Sequence, residues 1–235
     1  MNYQNVVDTV TGYVRARYQD GRFMEPFNPF TFASYITEGH PCHYTWYVPH
    51  DIRGLMKKIG GREMFEAKLD SMFSEGRYWH GNEPCHQVAY LYNWAGRPDK
   101  TQQHIRRIMQ EEYLLDVGGL SGNDDAGQMS AWYAFAALGL YPVCPGVPEY
   151  AIASPTFPKA TIRLKDGKRF TIIAKNASED NIYIQSATLN GRRYTKNYLA
   201  HADLMKGGEL VFVMGDKPSA EWGRGEADIP YSLTK

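Results

Sequence analysis

The sequence predicts an α+β protein in which a helical region, residues 1–145, precedes a β-rich region, residues 146–235. Three observations carry this reading. From about Ile36 to Leu140 apolar residues recur three and four positions apart and are punctuated by glycine. After Pro142 the period changes to alternation, with Thr, Ile and Val rising. Turn pairs such as Asp166-Gly167 and Asn190-Gly191 then break the alternating runs.

Before Ile36 the one amphipathic helix candidate is Tyr3 to Tyr18, followed by Asp20-Gly21 and a Pro- and Phe-rich loop from Pro26 to Phe32. Five or six helices fit between Ile36 and Leu140. His50 to Ile59 opens after Pro49, carries Ile52, Leu55, Met56 and Ile59 on one face, and stops at Gly60-Gly61. Arg62 to Phe73 follows, with Met64, Phe65, Leu69, Met72 and Phe73. Pro84 to Trp94 opens on a proline and ends at Gly96, and Pro98 to Tyr113 opens on Pro98-Asp99. Met129 to Leu138 is apolar around most of its circumference, the pattern of a helix buried between helices. The strands expected are Tyr150 to Ala153, Ala160 to Leu164, Phe170 to Ala174, Ile182 to Leu189 and Glu209 to Met214, forming an antiparallel sheet or sandwich.

With 43% hydrophobic and 22% charged residues the chain is globular rather than disordered. Twenty-six basic side chains balance twenty-six acidic ones, so no electrostatic argument favours nucleic acid or an anionic membrane as partner. No apolar run reaches the roughly 18 residues of a spanning helix. Met1 to Asp20 has neither the apolar core nor the cleavage site of a signal peptide. Seventeen Tyr and five Trp exceed what a core requires, and such rings suit sugar faces as well as interfaces. Cys42, Cys85 and Cys144 are an odd number without a disulfide framework.

Chemistry concentrates in three loops. Thr37 to Tyr44, running on through Trp46, His50 and Asp51, holds Glu38 and three imidazoles; the ordinary alternative is a solvated Glu38, with Asp51 merely starting a helix. His80-Gly81-Asn82-Glu83-Pro84, with His86 beyond it, offers hard oxygen ligands that suit calcium, against the alternative of plain helix capping. The repeated Cys-His dipeptide, Cys42-His43 and Cys85-His86, invites a zinc reading; against it, adjacent residues rarely converge on one ion and a Cys-x-x-Cys spacing is missing. Gly122 to Gly127 carries Asp124 and Asp125 between turn glycines, ahead of an apolar helix. Separated carboxyl groups among Trp and Tyr, without a Gly-x-Ser-x-Gly elbow or a phosphate loop, point to acetal hydrolysis.

The strings Thr37-Glu38-Gly39, Tyr44 to Asp51, His80 to Pro84, Tyr90-Leu91-Tyr92-Asn93, Gly122 to Asp125, Gly127 to Tyr133 and Gly139 to Val143 resemble glycoside hydrolase family ninety-two. These are calcium-dependent, inverting exo-α-mannosidases. The resemblance runs in order from about Asp20 to Trp222. It implies part of an (α/α)6 catalytic barrel over residues 1–145, with a C-terminal β-rich region after it. By matching position, Glu38 is the general acid and Asp125 the general base, with Asp124 beside it. Asn82 and Glu83 help hold Ca2+, while Trp46, His50, Asp51 and His86 shape the mannose subsite. Enclosure of Glu38 by Tyr44, Trp46 and neighbouring rings would help keep it protonated.

The implied partner is a mannose-containing oligosaccharide or glycan, most readily an α-1,2-mannoside, and the implied location is periplasmic or extracellular. His40-Pro41-Cys42-His43 stands where family members often have Asn-Ala-Trp-Gln, and the segment between Phe73 and Gly81 is shorter than is common. Twelve helices make a complete barrel, so the chain is expected to be the C-terminal part of an enzyme. Its exposed apolar faces would then meet the missing N-terminal portion or a second copy. The alternative is a non-catalytic remnant, or a mannose-binding fragment lacking the N-terminal sandwich.

Overall fold

A computed structural model describes residues Met1–Lys235. The chain forms two compact units, Met1–Val88 with Ser232–Lys235, and Ala89–Tyr231. The composition change near residue 145 falls inside the second unit, because two helices before it pack with the strands after it.

In the first unit the expected Tyr3–Tyr18 helix is replaced by a 3-10 turn, Asn2–Asn5, and a hairpin of β1 (Val7–Asp8) and β2 (Tyr13–Val14). The cause is local. Asp8 accepts from Val10 N–H at 2.9 Å and from the Thr11 hydroxyl at 3.1 Å, giving the backbone a turn that competes with helix. Gly12, at φ 72°, then turns the chain into β2.

The helices of this unit are α1 (Pro41–Tyr44), α2 (Ile52–Lys58) and α3 (Arg62–Ser74). Asp51 caps α2 by accepting from Gly54 N–H, and Gly60 and Gly61, both at positive φ, end it and start the next helix. Phe65, Leu69, Met72 and Phe73 make one buried stripe on α3, and Ile52, Leu55 and Met56 are the buried face of α2. Each such side chain contributes about 1.5–3 kcal/mol when fully buried. The Trp46 ring meets Phe65 edge-on, with centroids 5.4 Å apart.

Pro84 to Trp94 is not one helix but two 3-10 turns, Glu83–Cys85 and Val88–Asn93. Polar side chains compete with the regular ladder here. Gln87 donates to the Pro84 carbonyl at 2.8 Å, and Asn93 donates to the carbonyls of Ile152 and Asn197.

The second unit begins with α4 (Pro98–Glu111) and α5 (Gln128–Ala137). A three-stranded sheet has the order β3 (Leu140–Tyr141), β4 (Glu149–Ile152), β9 (Tyr198–Ala200). A five-stranded sheet contains β5 (Lys159–Arg163), β6 (Arg169–Lys175), β7 (Tyr183–Leu189), β8 (Arg192–Arg193) and β10 (Gly208–Gly215), in the order β5-β6-β10-β7-β8. Helix α6 (His201–Lys206) leads into β10.

The expectation of a wholly antiparallel sheet needs correction, since β10 runs parallel to β6. More than thirty residues separate the two strands, ample for the crossover that parallel pairing requires. Inward positions alternate as the sequence pattern demands: Phe170, Ile172 and Ala174 on β6 join Leu210, Phe212 and Met214 on β10 in one core. Asn93 and Asn197 each donate to the other's carbonyl at 3.0 Å, and Asn197 also donates to Gly223. Helix α5 is not buried all round. Met129, Trp132, Ala136 and Ala137 are covered, whereas Ala131, Tyr133 and Ala134 face outward.

Candidate active site

The structure fastens two of the three polar loops together within the first unit. Asn82 donates through Nδ2 to the Glu38 carbonyl oxygen at 2.7 Å, while its Oδ1 accepts from Glu83 N–H at 3.1 Å and caps the turn that follows. Glu38 sits at φ 48°, a left-handed conformation that costs a non-glycine residue about 1–2 kcal/mol. Gly39 continues the bend at φ 155°, and a Cβ there would lie 3.1 Å from the Tyr44 ring and 3.2 Å from His43 Nδ1. The buried amide of Asn82 therefore holds a strained turn in place by its backbone.

Glu38 itself is exposed and its carboxylate makes no hydrogen bond within the chain. The expectation that Tyr44 and Trp46 enclose it needs correction. The bend turns the side chain outward, and Trp46 is 1% exposed, committed to the core. Tyr44 does lie beside the acids. Its phenol is raised above the ordinary value first by burial, then by the Glu38 charge, by Cys85 and by the Glu83 charge. Glu38 and Glu83 are thus both within electrostatic reach of one hydroxyl, which the sequence reading placed beside Glu38 but not beside Glu83.

Of the four subsite candidates, only His50 is exposed. Asp51 is fully buried and accepts five hydrogen bonds: from Tyr3 (2.7 Å), Gly54 N–H (3.3 Å), Ser232 (3.1 Å), and the backbone and hydroxyl of Thr234 (2.7 and 3.0 Å). Burial alone would raise its pKa, but the bonds from Tyr3, Thr234 and Ser232 outweigh it and hold the carboxyl below its usual value. A Cβ at Gly54 would come within 2.2 Å of this carboxylate, so glycine is required there. His86 is 1% exposed and its Nε2 lies 2.9 Å from the His80 carbonyl. The side chains of Trp46, Asp51 and His86 are therefore covered by the fold rather than open to solvent.

Asn82 and Glu83 supply an amide oxygen and a carboxylate, hard donors of the type calcium takes. They fit that ion in kind. Two side chains fall short of its about six to eight ligands, so waters and other oxygens would complete the shell.

Asp124 and Asp125 stand on an exposed turn of the second unit, before α5. Asp124 accepts from Ser130 N–H at 3.0 Å and from the Ser130 hydroxyl at 2.7 Å, and these bonds lower its pKa. The Asp125 carboxylate makes no hydrogen bond within the chain. The turn is shaped by Ala126 at φ 52° and Gly127 at φ 77°. Beside it opens a cavity of about 890 Å³, whose lining includes Tyr113, Asp116, Gly122, Ser130 and Tyr133. Tyr113, which the sequence reading passed over as a helix end, stacks on Trp132 at 5.8 Å and 3°. Cys42 and Cys85 offer no nucleophile, since burial pushes their thiols up to about 11 and about 12.

Residues 1–216 match the glycosyl hydrolase family 92 catalytic domain. An alpha-mannosidase of this family from Bacteroides thetaiotaomicron superimposes with a TM-score of 0.95 at 42% identity, covering 99% of this chain and 32% of that one. An inverting mannosidase of the family from the same organism gives 0.94 at 40% identity, covering 100% and 35%. An uncharacterized secreted glycosidase of Arthroderma benhamiae is 33% identical over 94% of this chain and 30% of its own length. The chain spans about a third of the length of these relatives. It belongs to glycosyl hydrolase family 92.

Proposed function

We propose that the chain carries the catalytic acids of an inverting exo-α-mannosidase acting on terminal α-1,2-linked mannose of glycans. One observation carries this reading: Asn82, a calcium-type donor, grips the backbone of Glu38 in a strained turn and leaves the carboxyl free. In this role Glu38 protonates the glycosidic oxygen as the bond to the anomeric carbon breaks. Asp125 takes a proton from the water that attacks the opposite face, so the product is β-mannose. Inverting glycosidases leave room for that water between their acid and their base.

Asp124, committed to Ser130, fixes the turn that presents Asp125. His50 contacts the sugar, while Trp46, Asp51 and His86 support the loops from beneath. Asn82 and Glu83 would hold Ca2+, which supplies positive charge for binding sugar hydroxyls. Glu38 is open to solvent in the free chain, so bound substrate completes its enclosure. In the intact polypeptide these residues lie on an (α/α)6 barrel, and the protein works outside the cytoplasm, as the secreted relative suggests.

The test is anomer-resolved NMR of α-1,2-mannobiose hydrolysis by the intact polypeptide, with calcium and with chelator. β-Mannose as first product, lost on chelation, is expected. α-Mannose first would overturn the inverting assignment. Saturable binding without product would overturn the hydrolytic reading.

A further inference from the structure

Donor atoms of His40, Cys42 and His43 all lie within 4.8 Å of one another at the start of α1. In a tetrahedral zinc shell, bonds of about 2.0–2.1 Å to nitrogen and about 2.3 Å to sulfur place donors about 3.3–3.6 Å apart. Movements of about 1 Å would close the three side chains on one ion. The geometry points to a site for a borderline-soft transition-metal ion, zinc above all, formed by His40, Cys42 and His43.

The backbone resolves the objection that adjacent residues diverge. His40 caps α1 and His43 lies one turn on, with the two rings stacked at 5.0 Å and 13°. His40 is thus the third ligand that the Cys42-His43 dipeptide lacks. His43 is also prepared for the task. Its Nε2 stands 2.9 Å from the Arg77 carbonyl oxygen, which can only accept, so that nitrogen carries the proton and Nδ1 keeps a lone pair. Metal-binding histidines are commonly oriented by such a carbonyl. The Nδ1 lone pair accepts from His40 N–H at 3.1 Å, a bond the ion would replace.

A cavity of about 550 Å³, lined by Gly39, His40, Cys42, His43, Arg77 and Trp79, gives the ion a path and leaves room for a water as fourth ligand. The neighbouring cation, Arg77, is paired with Glu75 and stacked on Phe30. The nitrogen and sulfur donors select zinc-like ions over calcium, so this site is chemically distinct from the oxygens of Asn82 and Glu83. The second dipeptide forms no equivalent, because no third histidine, cysteine or carboxylate donor converges with Cys85 and His86.

Titration of the metal-free protein with cobalt(II) tests the proposal, because a cysteine thiolate bound to cobalt gives a near-ultraviolet charge-transfer band. One equivalent should saturate the band, and zinc should abolish it by displacement. Cys42→Ser should remove the band, and Cys144→Ser should leave it. Should Cys42→Ser not fold, His40→Ala, at a partly exposed position, is expected to weaken cobalt binding at least tenfold with an unchanged circular dichroism spectrum. No band in the unaltered protein, a band that survives in folded Cys42→Ser, or unchanged affinity in His40→Ala would overturn the site. None of these readouts depends on hydrolysis, so they stand apart from the mannosidase reading.

Discussion

The two acid-bearing turns solve the same problem in opposite ways. Around Glu38 the backbone is held: Asn82 grips the carbonyl, φ is forced to 48°, and the side chain is left without a hydrogen bond. Around Asp125 a side chain does the holding: Asp124 takes both donors of Ser130 and its neighbour is left free. A turn with one acid must be anchored from outside. A turn with two can use one of them as its own anchor.

Substitutions of the free acids should have the largest effect. In its proposed role of general base, Asp125 is worth about 10²–10⁴-fold in kcat, and Asp125→Asn should lose that factor for every leaving group. Loss confined to poor leaving groups would exchange the roles of the two turns. Next comes Asn82→Ala, which leaves the strained Glu38 turn unheld. A stability loss of about 1–2 kcal/mol by urea unfolding is expected, together with a lower kcat. Full activity with reduced stability would make the anchor purely structural. The mildest change is Ser130→Ala, which removes one of the two bonds to Asp124. The bond is exposed, so stability should barely change, and activity should fall less than in Asn82→Ala.

Asp51 sharpens the contrast between held and free carboxylates, because all its bonds serve the fold. Its carboxyl pKa is below the ordinary value, so the folded state binds a proton less readily than the unfolded chain does. The stability it contributes is complete above about pH 4, near the unfolded value, and is lost as pH falls through the folded one. Asp51→Asn should therefore flatten the fall in melting temperature below about pH 4, read by circular dichroism at a series of pH values. An unchanged acid limb would remove Asp51 from this account.

The helices α3, α4 and α5 and the five longer strands were legible because each is bounded by its own punctuation: Gly60-Gly61, Pro98, Gly127, Asp166-Gly167 and Asn190-Gly191. What was not legible depends on partners far along the chain or on a single side chain. Nothing in the alternation of β6 or β10 reveals that they lie parallel. Residues 3–18 have helical spacing, yet the Asp8 carboxylate gathers Val10 and Thr11 into a turn. The acids were legible as residue types in glycine-rich loops. The bond from Asn82 to the Glu38 carbonyl was not, because a backbone acceptor leaves no mark in sequence. Asp51 reads as a helix start or as a sugar ligand until Ser232 and Thr234 are found bonded to it.

The most direct measurement is the leaving-group dependence of kcat/KM for Glu38→Gln in the intact polypeptide, using aryl α-mannosides of graded phenol acidity beside α-1,2-mannobiose. If Glu38 delivers the proton, the loss is greatest on mannobiose and shrinks steadily as the phenol becomes more acidic. A uniform loss across the series, or undiminished turnover of mannobiose, would contradict it.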